Sequence, residues 1–147
     1  MTAPVATEPP AAGPTFVPRI LVFSTHNISD PGIDLAGSSH MHYSTGVRVI
    51  GLPCTSGIRP SWIVRALESG FDGVFIASDG DECAYLPDCA ARSSKISSDA
   101  QARLRERGID PGRMRMAAIC SVCAEPFTRH MQQFSSALEA LGPAVAR

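Results

Sequence analysis

The sequence predicts an α/β domain, a short parallel sheet with helices on both faces. Two observations carry the prediction. Short apolar runs recur along the chain, at Ile20–Phe23, Val47–Leu52, Val74–Ala77 and Met114–Ile119, each of strand length, the first continuous as expected of a parallel strand buried on both faces. Between them lie helix-periodic segments and turn residues, the alternation expected of strands that cross over through helices. At 147 residues the chain is one domain's worth, with room for a real core.

Taken in order, residues 1–18 are rich in Pro, Ala and Thr without periodicity, and too little apolar surface is available to offset the entropy of ordering them. They are expected to be a disordered leader, with a single α/β domain over 19–143. The first strand, Ile20–Phe23, is followed by polar, turn-rich residues and by Ile33-Asp34-Leu35-Ala36, read as one or two helical turns. The second strand ends at Pro53-Cys54. Pro60 suits an early helical position, and Ile63, Val64 and Leu67 then share a face up to the stop at Gly70. After the third strand come Ser78-Asp79-Gly80-Asp81-Glu82-Cys83, then a polar helical region over 86–107 closed by Gly108. Asp110-Pro111-Gly112 is a turn, and the fourth strand, read as buried, runs into Cys120-Ser121-Val122-Cys123. From Glu125 a last helix carries Phe127, Met131, Phe134, Leu138 and Leu141 on one stripe, until Gly142-Pro143 ends it. Trp62 and that stripe are expected in the core. The result is a three-layer flavodoxin-like domain with a short, four-stranded parallel sheet.

Composition narrows the function. A net charge of −1 leaves no electrostatic footprint for nucleic acid or an anionic membrane. Aromatics make up 6% of residues, too few for a base-stacking platform. No apolar run reaches the length of a membrane span, and the N-terminus lacks the basic and apolar regions of a signal peptide. The expected location is the cytoplasm, where cysteine clusters point to metal or redox work. No G-x-G-x-x-G, P-loop or G-x-S-x-G element is present, so substrate chemistry has no candidate residues.

The five cysteines carry the functional reading. Strands of a parallel sheet all end at the same edge, where α/β proteins place their chemistry. Cys54 follows the second strand, Cys83 the third, and Cys120 and Cys123 the fourth. If those strands are neighbours, four thiolates gather in one crevice, the ligand set of an iron–sulfur cluster or a closed zinc site. Cys89, six residues beyond Cys83, is a packed thiol or a substitute ligand. Three readings are open: a metal centre, bystander thiols, and a dithiol–disulfide redox pair at Cys120/Cys123. His26, His40 and His42 cluster after the first strand, with solvated or capping imidazoles the plainer reading. Asp79-Gly-Asp81-Glu82 lacks the length and closing Glu of a calcium loop and is read as a turn. Arg103–Arg107 is read as a solvated helix face, with partner docking the sharper alternative.

With these segments placed, residues 19 to 143 resemble the delta subunit family of methyl-viologen-reducing hydrogenase, the iron–sulfur subunits that accompany heterodisulfide reductase. The resemblance rests on Gly32-Ile-Asp-Leu-Ala-Gly37, on Val47-Arg-Val-Ile followed by Cys54-Thr-Ser-Gly and Pro60, on Phe71-Asp-Gly-Val-Phe-Ile, on Asp81-Glu-Cys83-Ala-Tyr85, and on Gly108-Ile-Asp-Pro-Gly-Arg-Met-Arg. It implies a [2Fe-2S] cluster that relays electrons between a hydrogenase or formate dehydrogenase and a flavoprotein. Against the family pattern, Thr25, Ile28 and Ser78 stand where cysteines are expected, and Cys120 and Cys123 stand where they are not. The expectation is therefore an electron-transfer subunit whose iron–sulfur cluster is bound by Cys54, Cys83, Cys120 and Cys123, the pair after the fourth strand replacing the pair lost after the first. Competing expectations are a zinc-stabilised module and a cofactor-free docking or structural subunit.

Overall fold

The computed structural model describes residues 15–146. Most of the expected leader therefore lies outside the described residues, and residues 15–18 form no regular element. Four strands, β1 (Ile20–Thr25), β2 (Val47–Leu52), β3 (Gly73–Ser78) and β4 (Met114–Ala118), alternate with four helices, α1 (Ser29–Ser38), α2 (Pro60–Glu68), α3 (Cys89–Glu106) and α4 (Ala124–Leu141). All pairings are parallel, and the sheet order is β2-β1-β3-β4. That is the flavodoxin-like order as far as its fourth strand.

The two central strands are fully buried, as their unbroken apolar runs require of strands covered on both faces. Side chains of one parity, Ile20, Val22, Phe75 and Ala77, pack with Ile33 and Ala36 of α1 and with Phe127, Met131, Phe134 and Leu138 of α4. The other parity, Leu21, Phe23, Val74 and Ile76, packs with Ile63, Val64 and Leu67 of α2 and with Ala100 and Leu104 of α3. Each helix buries a stripe at i, i+3, i+4 spacing against one face.

Four expectations need correction. The segment around Ile33 is a ten-residue helix, longer than one or two turns. β4 is an edge strand, with Met114 alone among its residues buried, because among the described residues no strand covers its outer side. Leu141, at the end of the α4 stripe, is exposed. Trp62 is 41% exposed: Ile63 turns inward from α2 while its neighbour rides the helix edge, ring centroid 6.3 Å from that of Phe23. Among the described residues no helix is long and apolar enough to cross a membrane.

Candidate functional site

In a sheet of this order the crevice lies at the carboxyl ends of the strands where the winding reverses, between β1 and β3. Here those ends carry hydroxyls and a carboxylate. Thr25 Oγ1 donates to Asp79 Oδ1, and the same oxygen accepts from the Ser29 backbone N–H at 3.2 Å. Ser29 Oγ lies 3.2 Å from Thr25 Oγ1 and donates to the Ala77 carbonyl at 2.9 Å. Ser24 Oγ donates to Asp30 Oδ1 at 3.0 Å, and Ser78 Oγ to the Ala117 carbonyl at 3.4 Å. Thr25, Ser29, Ser78 and Asp79 are all buried. Among the described residues no buried side-chain nitrogen or oxygen is left without a partner, so this network is closed on itself.

The thiols fall into two groups rather than one. Cys54 ends the second strand's exit and begins a 3-10 turn, Thr55–Gly57, with its sulfur 2.9 Å from Ser56 Oγ. Buried Thr55 reaches α3, its Oγ1 2.9 Å from Ser93 Oγ and 3.9 Å from Cys89 Sγ. Cys89 opens α3. Burial first, then the neighbouring Cys83 thiol, raises its thiol pKa above the usual value of 9.0, while the Thr55 hydroxyl opposes and Cys54 adds repulsion. Cys54, Cys83 and Cys89 are free and share the α2/α3 side of the sheet.

Cys120 and Cys123 are joined to each other in a disulfide, Cα atoms 4.9 Å apart, on the α1/α4 side. Ile119 anchors the turn to the sheet through its N–H to the Ser78 carbonyl at 3.0 Å. Gly32 of α1 sits so close that a Cβ there would meet the Cys120 carbonyl oxygen at 2.4 Å. Cys123 is the N-cap residue of α4.

The condition for four converging thiolates was that the strands bearing them be neighbours. β3 and β4 are, but β2 lies at the opposite edge from β4. Three strand spacings of about 4.8 Å separate those edges by about 14 Å. The structure thus places Cys83 and Cys54 near Cys89, and sets Cys54 and the Cys120/Cys123 pair after strands at opposite edges of the sheet. Cys89, placed outside the main set from sequence, is the residue at the centre of the thiol group. Its signal was available in its spacing to Cys83 across a turn, but only the α3 contact with Thr55 reveals it. Among the described residues no group of three or more His, Cys, Asp or Glu is arranged to hold a metal ion.

The remaining candidates settle into structural places. His26 is exposed, its ring over Gly51, and its N–H donates to the Leu52 carbonyl at 3.0 Å. His40 and His42 are exposed, His40 with a φ of 55°, and the His42 carbonyl accepts from Gln132 Nε2 at 2.9 Å. Gly80–Glu82 is a 3-10 turn. In the arginine run, Arg107 pairs with Glu68 at 2.5 Å, both exposed.

A family model described as methyl-viologen-reducing hydrogenase, delta subunit, matches residues 20–142. A ferredoxin:CoB-CoM heterodisulfide reductase subunit of Methanosarcina mazei is 33% identical over 130 residues, which is 86% of this chain but 16% of that protein. The vhu iron-sulfur subunit of the F420-non-reducing hydrogenase of Methanococcus maripaludis is 31% identical over 127 residues, 86% of this chain and 94% of that protein. The corresponding subunit of Methanocaldococcus jannaschii is 30% identical over 127 residues, again 94% of its length.

Proposed function

The chain belongs to the methyl-viologen-reducing hydrogenase delta subunit family, and from that premise we propose that it is an electron-transfer subunit of a multi-subunit oxidoreductase, set between a hydrogenase or dehydrogenase and a flavoprotein of the heterodisulfide-reductase type. One observation carries the reading. The same domain makes up nearly all of one hydrogenase subunit, yet only a small segment of a reductase subunit. A domain that occurs both free beside one machine and fused into the other is suited to the junction between them.

The residues present do not fit the [2Fe-2S] cluster that the resemblance implies. Such a cluster is held by thiolates, or by imidazoles in one class. Thr25 and Ser78 put hydroxyls at the family positions, and both already have protein partners; Ile28 has no donor atom. Cys120 and Cys123 lie at the far edge from Cys54 and are bonded to each other. The subunit role is therefore assigned without a cluster of the family type.

The test is to purify the tagged full-length chain from its source without oxygen, identify co-eluting subunits, and measure iron, sulfide and zinc. The expected result is stoichiometric co-elution with flavin-bearing and hydrogenase or dehydrogenase subunits, and no iron or sulfide in the chain once separated. Absence of any redox partner overturns the subunit role. Iron with sulfide and visible charge-transfer absorption in the separated chain would instead install a cluster, with Cys54, Cys83, Cys120 and Cys123 as the ligands to test, and zinc would make the site structural.

A further inference from the structure

The electron-transfer role proposed above needs a group that carries electrons, and we propose that Cys120 and Cys123 are that group: a two-electron dithiol–disulfide centre that exchanges with a dithiol of the neighbouring subunit. The inference rests on that role for its partner but on four local observations for its chemistry.

First, these two sulfurs are paired while Cys54, Cys83 and Cys89 are free. Second, the bond is not what holds the turn. Ile119 and Phe127, on either side of it, are fully buried. Backbone hydrogen bonds from Ile119 to Ser78, from Cys123 to Cys120 and from Phe127 to Cys123, at 3.0 to 3.1 Å, keep strand and helix in register without the sulfurs. The pair can open with its frame intact. Third, Cys123 stands at the N-cap position of an 18-residue helix and makes no side-chain capping hydrogen bond there. The first-turn amides of Ala124 and Glu125, Pro126 having no N–H to offer, and the helix dipole there favour a thiolate at Cys123. Glu125, the acidic residue of that turn, has its charge paired with Arg129 at 2.8 Å. Fourth, the turn is presented outward: Ser121 is exposed, Val122 is 75% exposed, and both cysteines are partly exposed. Cys123 also packs against the α1/α4 core, so the side of the bond open to a partner is the turn itself, with Val122 as an apolar contact. Cys89 shows the contrast, since burial makes its thiolate harder to form.

The better leaving group is the sulfur with the stabilised thiolate, so attack falls on Cys120. A thiolate of the partner's dithiol attacks Cys120 Sγ, the Cys120–Cys123 bond breaks, and Cys123 leaves as thiolate. The partner's second thiol then attacks its own sulfur in the mixed disulfide and releases Cys120. The partner dithiol ends as a disulfide, and Cys120 and Cys123 end as thiols, having gained two electrons and two protons. The reverse sequence discharges the pair.

The test equilibrates the full-length protein with reduced and oxidised dithiothreitol in varied ratio, quenches with acid, and counts alkylated cysteines by peptide mass. Cys120 and Cys123 should gain alkylation together. A tenfold rise in the reduced-to-oxidised ratio should raise their own dithiol-to-disulfide ratio tenfold, reversibly and with an unchanged circular dichroism spectrum. In the reduced protein at pH 7, iodoacetamide should modify Cys123 at least tenfold faster than Cys120. Resistance to reduction until the protein unfolds would make the bond structural, and iron or zinc uptake by the reduced pair would make the two residues ligands; either overturns the proposal. A chain that joins its redox complex yet fails this titration loses only the dithiol centre. A chain that titrates as expected but joins no redox complex loses the subunit role.

Discussion

Thr25 shows how one residue can close a site. Its hydroxyl donates to buried Asp79 and accepts from the Ser29 backbone, so the crevice between β1 and β3 holds a satisfied polar cluster. Thr25→Val keeps the shape and removes both interactions, leaving a buried carboxylate short of a donor. The expected loss is about 1–3 kcal/mol, read as a lower denaturant midpoint with an unchanged slope, while Thr25→Ser should retain most of the stability. From sequence, Thr25 and Ser78 were visible as departures from a cysteine pattern. What fills the vacated positions was not visible, because Thr25 and Asp79 are 54 residues apart and nothing local pairs them.

The contact of α1 with the turn before α4 depends on the absence of a side chain. At Gly32 a Cβ would lie 2.4 Å from a backbone oxygen, which cannot swing aside; at Gly37, on the same helix, it would meet nothing within 4 Å. Gly32→Ala should therefore destabilise by about 1–3 kcal/mol through forced backbone movement. Gly37→Ala should stabilise by about 0.5–1 kcal/mol, because alanine is the better helix former. Thermal melts of the two variants, opposite in sign, check the packing. That α1 runs for ten residues was hidden in its sequence, where Pro31 and Gly32 fall in a polar, turn-rich stretch; α4 covers the helix and supplies what propensity does not. α4 itself was legible, its stripe of Phe127, Met131, Phe134 and Leu138 fully buried. On α4, His130 packs against Phe75 with ring centroids 5.6 Å apart. Burial, then the charges of Arg115 and Arg129, lowers its pKa below the usual 6.5. The fold favours neutral His130, so stability is full above pH 6.5. As pH falls below that, the unfolded chain takes up a proton that the folded chain refuses, and stability is lost until the lowered folded value is passed. His130→Phe should flatten this part of the curve of denaturant midpoint against pH.

At the scale of the molecule, the strand order decides which residues can act together. The alternation of strands and helices was legible as parallel β/α winding, but the direction taken after the second strand was not. The chain returns across β1 to lay down β3, and this puts β2 and β4 at opposite edges. Cys54 and the Cys120/Cys123 pair follow those outer strands, so they lie on different sides of the fold although both leave carboxyl ends. A disulfide at Cys120/Cys123 spans only four residues, which bounds how much the whole domain can depend on it. The loop-entropy relation gives about 2 kcal/mol for a ring of that size. For a chain of this length about 1 kcal/mol moves the melting temperature by roughly 2–4 °C. Reduction should thus lower the melting temperature of the full-length protein by no more than roughly 8 °C, with a single cooperative transition before and after. Phe134→Ala, by contrast, opens a void between the sheet and α4 and should cost about 3–5 kcal/mol, a larger shift on the same scale. Calorimetry with and without reductant on both proteins makes the comparison. A drop on reduction that matches or exceeds the effect of Phe134→Ala would mean that the bond holds the α1/α4 layer together, and a centre meant to open in each cycle could not also serve as that layer's clasp.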